Sequence, residues 1–156
     1  MLACDFFTIE TVFLKTLYVT ERVALPAGDY AVASGDGLIA TVERKTFENL
    51  TSSLSDGTLA FQMGRLDEVG IAAVVVEGHY SGLFKLEHVP GAFLADGLAR
   101  LQVRYPEIQI VFADARKFAE EWICRFLAAA LADATRMPTS TARSAGSSSQ
   151  SISNSD

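Results

Sequence analysis

Residues 71–76, IAAVVV, are apolar without a break. A strand with one wet face alternates apolar and polar residues. An unbroken run rich in valine needs cover on both faces, as in the central strand of a sheet enclosed by helices. That segment points to an α/β arrangement, and the neighbouring segments agree. Residues 38–43 (LIATVE) and 30–33 read as strands, with Ser34-Gly35-Asp36-Gly37 as the hairpin turn between them. Residues 20–25 (TERVAL) read as an earlier strand that ends at the Pro26-Ala27-Gly28 turn. Helical spacing runs through Phe47, Leu50 and Leu54, then through Leu59, Met63 and Leu66, and again over residues 93–103 after Pro90. Residues 108–112 read as a second buried strand. Residues 115–132 read as the last helix, with Phe118, Trp122, Phe126 and Ala129 on its inward side and Trp122 in the core. The expected architecture is a mixed sheet flanked by helices.

A chain of 156 residues supports one domain with a real core and is too short for two. Its 49% apolar content excludes disorder throughout, and no apolar run reaches the roughly eighteen residues of a membrane span. The start of the chain lacks the basic region and cleavage site of a secretory signal. Cys4 and Cys124 stand in no ligand spacing and read as reduced thiols, so a cytoplasmic protein without membrane attachment is expected. The formal net charge of −6 opposes a whole-surface grip on nucleic acid but leaves room for a local basic groove. After about residue 136 the composition turns to Ser, Thr, Ala and Gly. The expected division is an atypical segment 1–19, a domain 20–134, and a disordered Ser-rich tail 135–156.

The chemistry concentrates in Gly28-Asp29-Tyr30 and Glu43-Arg44-Lys45. Two carboxylates can hold a hard divalent cation through oxygen. A lysine beside them can polarise an attacking water or offset charge building on a phosphate. Because residues 42–45 end a strand, side chains alternate there: Glu43 and Lys45 share a face and Arg44 points away. Asp29 alone also suits a plain turn. A Glu43 carboxylate facing a sheet needs an answer to its desolvation, either a metal ion or an internal pair with Lys45. Gln62 and Arg65 share a helical turn, and Arg65 is placed either on a phosphate or in solvent. His79 and His88 lack a third ligand and read as surface loop, and Glu120 and Glu121 as a solvated face.

The stretches GDYAVASGDGLIATVERKTFENL and SSLSDGTLAFQMGRLDEVGIAAVVVEG resemble the nuclease domain of the XPF family of structure-specific DNA endonucleases, and IVFADARKFAEEWICRFLAAAL resembles the end of its bacterial version. The resemblance covers about residues 20–132 and implies a restriction-endonuclease-like α/β core. It implies metal ligation by Asp29, Glu43 and the Arg44 carbonyl, catalysis by Asp29, Glu43 and Lys45, and DNA contacts by Arg44, Gln62 and Arg65. Mg²⁺ or Mn²⁺ is the implied cofactor. Branched or flapped DNA in repair or recombination is the implied substrate, with a homodimer or a separate DNA-binding chain supplying grip.

Three departures stand out. The family's last acid falls at Asn49, and Glu48 beside it is turned by about a hundred degrees on a helix. The family's Gly-Arg-Leu appears as Gly57-Thr58-Leu59. The first-strand Asp and Arg-Glu pair have no counterpart before Thr20. Instead residues 5–19 (DFFTIETVFLKTLYV) resemble the opening strands of an integrase-type transposase core, which implies a replaced first strand by fusion or frameshift, with Asp5 as a substitute acid. Three alternatives stand: a metal-dependent DNA endonuclease, a catalytically silent DNA-binding or assembly module derived from the same domain, and a broken chimera.

Overall fold

The structure, a computed structural model, describes residues 25, 27–34 and 37–136. The expected strand at 20–25, the segment 1–19 with Cys4 and Asp5, the turn residues 35–36 and the Ser-rich tail from 137 on lie outside the described residues, Leu25 apart.

Four strands form one sheet in the order β1 (Tyr30–Ser34), β2 (Gly37–Thr46), β3 (Ile71–Glu77), β4 (Gln109–Ala113). The β1–β2 hairpin is antiparallel and carries a register shift between Val32 and Ala33. Strands β2, β3 and β4 run parallel. The connection from β2 to β3 is α1 (Phe47–Ser55) and α2 (Thr58–Asp67). A 3₁₀ helix (Tyr80–Lys85) and α3 (Gly91–Arg104) connect β3 to β4. Helix α4 (Arg116–Arg136) returns across the sheet.

Two cores follow from alternation along β3. Ala72, Val74 and Val76 pack with Leu50, Leu59, Met63, Leu66, Leu94 and Ile108 beneath the first three helices. Ala73 and Val75 face the other way, with Val32, Ala40, Val42 and α4. Val74, Val75 and Val76 are fully buried, as an unbroken apolar run requires. The helices start where local chemistry allows. The Thr46 hydroxyl caps α1 by accepting the Asn49 N–H at 3.2 Å. Asp56 accepts the Thr58 N–H at 2.8 Å at the start of α2, and the Thr58 hydrogen bonds hold its carboxyl below the ordinary carboxylate range.

Two expectations are corrected. Strand β4 is not enclosed: it ends the sheet with one edge unpaired among the described residues, and only its last residue, Ala113, is buried. The inward row of α4 is Ala119, Ile123, Leu127 and Ala130, one position on from the row of largest apolar residues. Helix α4 lies over Ala40, Ala73 and Ala113, where slim side chains allow close approach. Trp122 and Phe126 flank that contact, stacked with ring centroids 4.9 Å apart and half-buried, while Phe118 is 50% exposed. Ile123→Ala is therefore expected to cost about 2–4 kcal/mol in urea denaturation. Phe118→Ala should cost under about 1 kcal/mol, and equal costs would restore the aromatic row as the core face. Among the described residues, no helix is long and apolar enough to cross a membrane.

Candidate functional site

Polar residues interrupt the apolar sheet at the end of β2. Thr41, Glu43 and Lys45 share the face turned toward α1 and α2, and all three are buried. Thr41 fixes the entrance to β1: its hydroxyl oxygen lies 2.8 Å from Ala27 O and 3.1 Å from Tyr30 O. Glu43 and Lys45 are each 8% exposed, and Lys45 Nζ stands 2.7 Å from Glu43 Oε1. Gln62 reaches down from α2 and donates from Nε2 to the same Glu43 oxygen at 2.9 Å. Both donors land on Oε1, so Oε2 takes no hydrogen bond among the described residues.

Asp29 comes alongside from the turn before β1. Its N–H donates to Val42 O at 2.9 Å, and its Oδ2 accepts the Arg44 N–H at 2.8 Å. Asp29 is thus held by the backbone on either side of Glu43, with its carboxylate on the Arg44 side. Gly28 makes this approach possible. Its φ is +79°, and a Cβ there would stand 2.3 Å from Thr41 Oγ1 and 3.0 Å from Val42 O. Leu25, Ala27, Gly28, Glu43, Gln62 and Arg65 line a cleft of about 190 Å³, with Arg65 exposed.

The other face of the strand end holds different chemistry. Arg44 Nη1 pairs with Glu77 Oε1 at 2.6 Å, on the side covered by α4. Nearby, Arg116 pairs with Glu120 at 2.7 Å, which raises the Arg116 pKa above its ordinary value. Burial pushes the Tyr30 hydroxyl up as well. The structure thus brings Glu43, Gln62 and Arg65 to one cleft, with Lys45 paired to Glu43 behind it and Asp29 on the adjoining turn, and turns the Arg44 side chain away. Glu48 and Asn49 sit exposed in the first turn of α1. His79 and His88 are exposed, and His79 lies 3.2 Å from Asp114.

The contact of Gln62 with Glu43 was not read from the sequence. The signal was present: residues 59, 62, 63 and 66 form one inward helical stripe, and Gln62 is its polar member.

The donor set suits a hard divalent cation. Asp29 and Glu43 offer carboxylate oxygens, and Gln62 Oε1 is buried with no hydrogen-bond partner among the described residues. Acids alone do not complete such a site, because no group of three or more His, Cys, Asp or Glu is placed to hold a metal among the described residues.

A mixed sheet with acids and a lysine converging at the end of one strand, beside a cleft, is the arrangement of an α/β nuclease domain. The sequence model of the ERCC4 domain matches residues 6–126, and the chain belongs to that family. It is similar to the structure of XPF from Aeropyrum pernix, with 27% identity and a TM-score of 0.56 over 85% of this chain and 56% of that one. It is also similar to a structure of XPF from Aeropyrum pernix in complex with DNA, with 28% identity and a TM-score of 0.50 over 76% of this chain and 55% of that one. The chain therefore spans little more than half the length of these relatives. No curated protein matches it.

Proposed function

We propose that the domain is a metal-dependent DNA endonuclease acting on branched or flapped DNA. The observation that carries this is the buried Glu43 carboxylate that holds Lys45 and Gln62 and lines an open cleft, with the Asp29 carboxylate on the Arg44 N–H next along the strand. Asp29 and Glu43 would hold Mg²⁺ or Mn²⁺, with the Arg44 carbonyl as the further ligand that the family resemblance implies. The bound ion supplies charge against the phosphate oxygens and makes a neighbouring water easier to deprotonate.

The chain's own residues do the rest. Among the described residues Glu43 Oε2 takes no hydrogen bond, while Oε1 is held by Lys45 and Gln62. Lys45 keeps its ammonium beside the acid, where it offsets negative charge as the phosphate is attacked. Arg65, exposed at the cleft, would contact a backbone phosphate. The Arg44 side chain would have to leave Glu77 to reach DNA, so its first role is to anchor the strand end.

Branched substrates, a role in repair and a second chain for grip come from the likeness to XPF. The net charge of −6 supports that last point, since a cleft with one exposed arginine gives little electrostatic grip. The test is incubation of the purified chain with labelled flap, splayed and linear duplex DNA, with Mn²⁺, with Mg²⁺ and with EDTA. Slow cleavage with metal, fastest on the branched substrates and absent with EDTA, is expected. Binding without cleavage in any metal would favour the silent DNA-binding module.

A further inference from the structure

Gln62 holds Glu43 by one end of its amide and leaves the other end buried without a partner among the described residues. The orientation is fixed by charge. Turning the amide over would set its carbonyl oxygen against the Glu43 carboxylate, oxygen to oxygen, and lose the one hydrogen bond the side chain makes among the described residues. A buried carbonyl oxygen without a donor is costly in a finished structure, so such an atom marks a missing neighbour. Here it belongs to a residue that lines the same cleft as Glu43. Glu43 is the acid bonded to this side chain, no group of three or more His, Cys, Asp or Glu is placed to hold a metal among the described residues, and the residue at the position of the family's last acid is Asn49, exposed on α1.

We infer that Gln62 Oε1 is a direct ligand of the divalent cation, supplying the oxygen that Asn49 does not, while Gln62 Nε2 positions Glu43 for the same ion. This rests on the metal-dependent reading above, and its role differs from a DNA contact. A neutral amide oxygen is a suitable donor for Mg²⁺ or Mn²⁺. The arrangement couples ligand and positioning group through one rigid, planar amide.

The test measures Mn²⁺ binding directly, without DNA, by calorimetry and by electron paramagnetic resonance of free Mn²⁺. Gln62→Met keeps the length of the side chain and removes both polar atoms. Its affinity for Mn²⁺ should fall by about tenfold or more. Gln62→Glu keeps an oxygen in place and adds charge. It should bind Mn²⁺ at least as tightly as wild type, and Mn²⁺ should raise its melting temperature more than that of wild type, because the ion relieves repulsion from Glu43. Wild-type affinity in Gln62→Met would overturn the inference and leave the nuclease reading standing. A wild-type chain that binds no Mn²⁺ would end both. If Gln62→Met does not fold, Gln62→Glu decides: Mn²⁺ affinity at or above wild type supports the inference, and a loss of about tenfold or more overturns it.

Discussion

Glu43→Ala is expected to abolish metal-dependent cleavage, with a rate at least about a hundredfold below wild type. It should also destabilise the domain. Glu43 and Lys45 are each 8% exposed, and removing the acid strands a buried ammonium. Breaking one side of a buried pair costs about 3–5 kcal/mol. Gln62 loses its acceptor too, and its amide would be left with neither end bonded. Lost activity in this variant alone could therefore reflect unfolding. The double variant Glu43→Ala with Lys45→Met separates the effects. Replacing both partners by apolar groups removes the unpaired charge, so its stability should return to within about 1–2 kcal/mol of wild type. Its activity should stay absent. Cleavage by the double variant in Mn²⁺, measured on labelled flap DNA at a temperature where its circular dichroism is native, would remove Glu43 from the mechanism.

Gly28→Ala is the second large expected loss, about 3–5 kcal/mol by urea denaturation. Part is backbone strain, since a non-glycine residue at φ +79° costs about 1–2 kcal/mol. The rest is collision. The new Cβ would stand 2.3 Å from a fully buried threonine oxygen that already serves Ala27 and Tyr30. Moving that hydroxyl leaves buried polar atoms unpaired, worth about 1–3 kcal/mol. A double-mutant cycle apportions the two. In a Thr41→Ala background the further cost of Gly28→Ala should shrink toward the strain alone, about 1–2 kcal/mol. An unchanged cost there would show that Thr41 is not the obstacle. Cleavage should weaken as well, because a shifted residue 28 carries Asp29 away from the Arg44 N–H.

How far each feature could be read from the chain depended on how far apart its partners lie. Strand β3 and the inward residues Leu59, Met63 and Leu66 of α2 announce themselves by periodicity. Glu43 and Lys45 share a face because alternation is a local rule. The inward row of α4 departs from the row of largest side chains because size does not set depth. Period 3.6 gives the width of a stripe, while the alanines of the sheet decide which adjacent row fits. Strand β4 was misjudged because an apolar run does not say whether another strand lies beyond it. The Arg44–Glu77 pair depends on the parallel register that sets Arg44 beside Val75, and register is not written in either strand alone. Gln62 meets Glu43 only after α1 and α2 have folded over the sheet, so that contact joins two elements and is not written in α2 alone.

The order of strands in the sheet is also their order along the chain, with the two parallel crossovers packed on one side. Each strand pairs with its immediate predecessor, so its template is in place when it emerges, although each parallel closure spans a whole helical crossover. Helix α4 breaks that rule, since it reaches back over β1 and β2 as well as β3. Among the described residues, α4 is the element outside the sheet that packs on Val32, Val42 and Val75. The ribosome thus releases the cleft's own elements well before the opposite side is closed, and that late-closing side is where a folding intermediate would be stickiest.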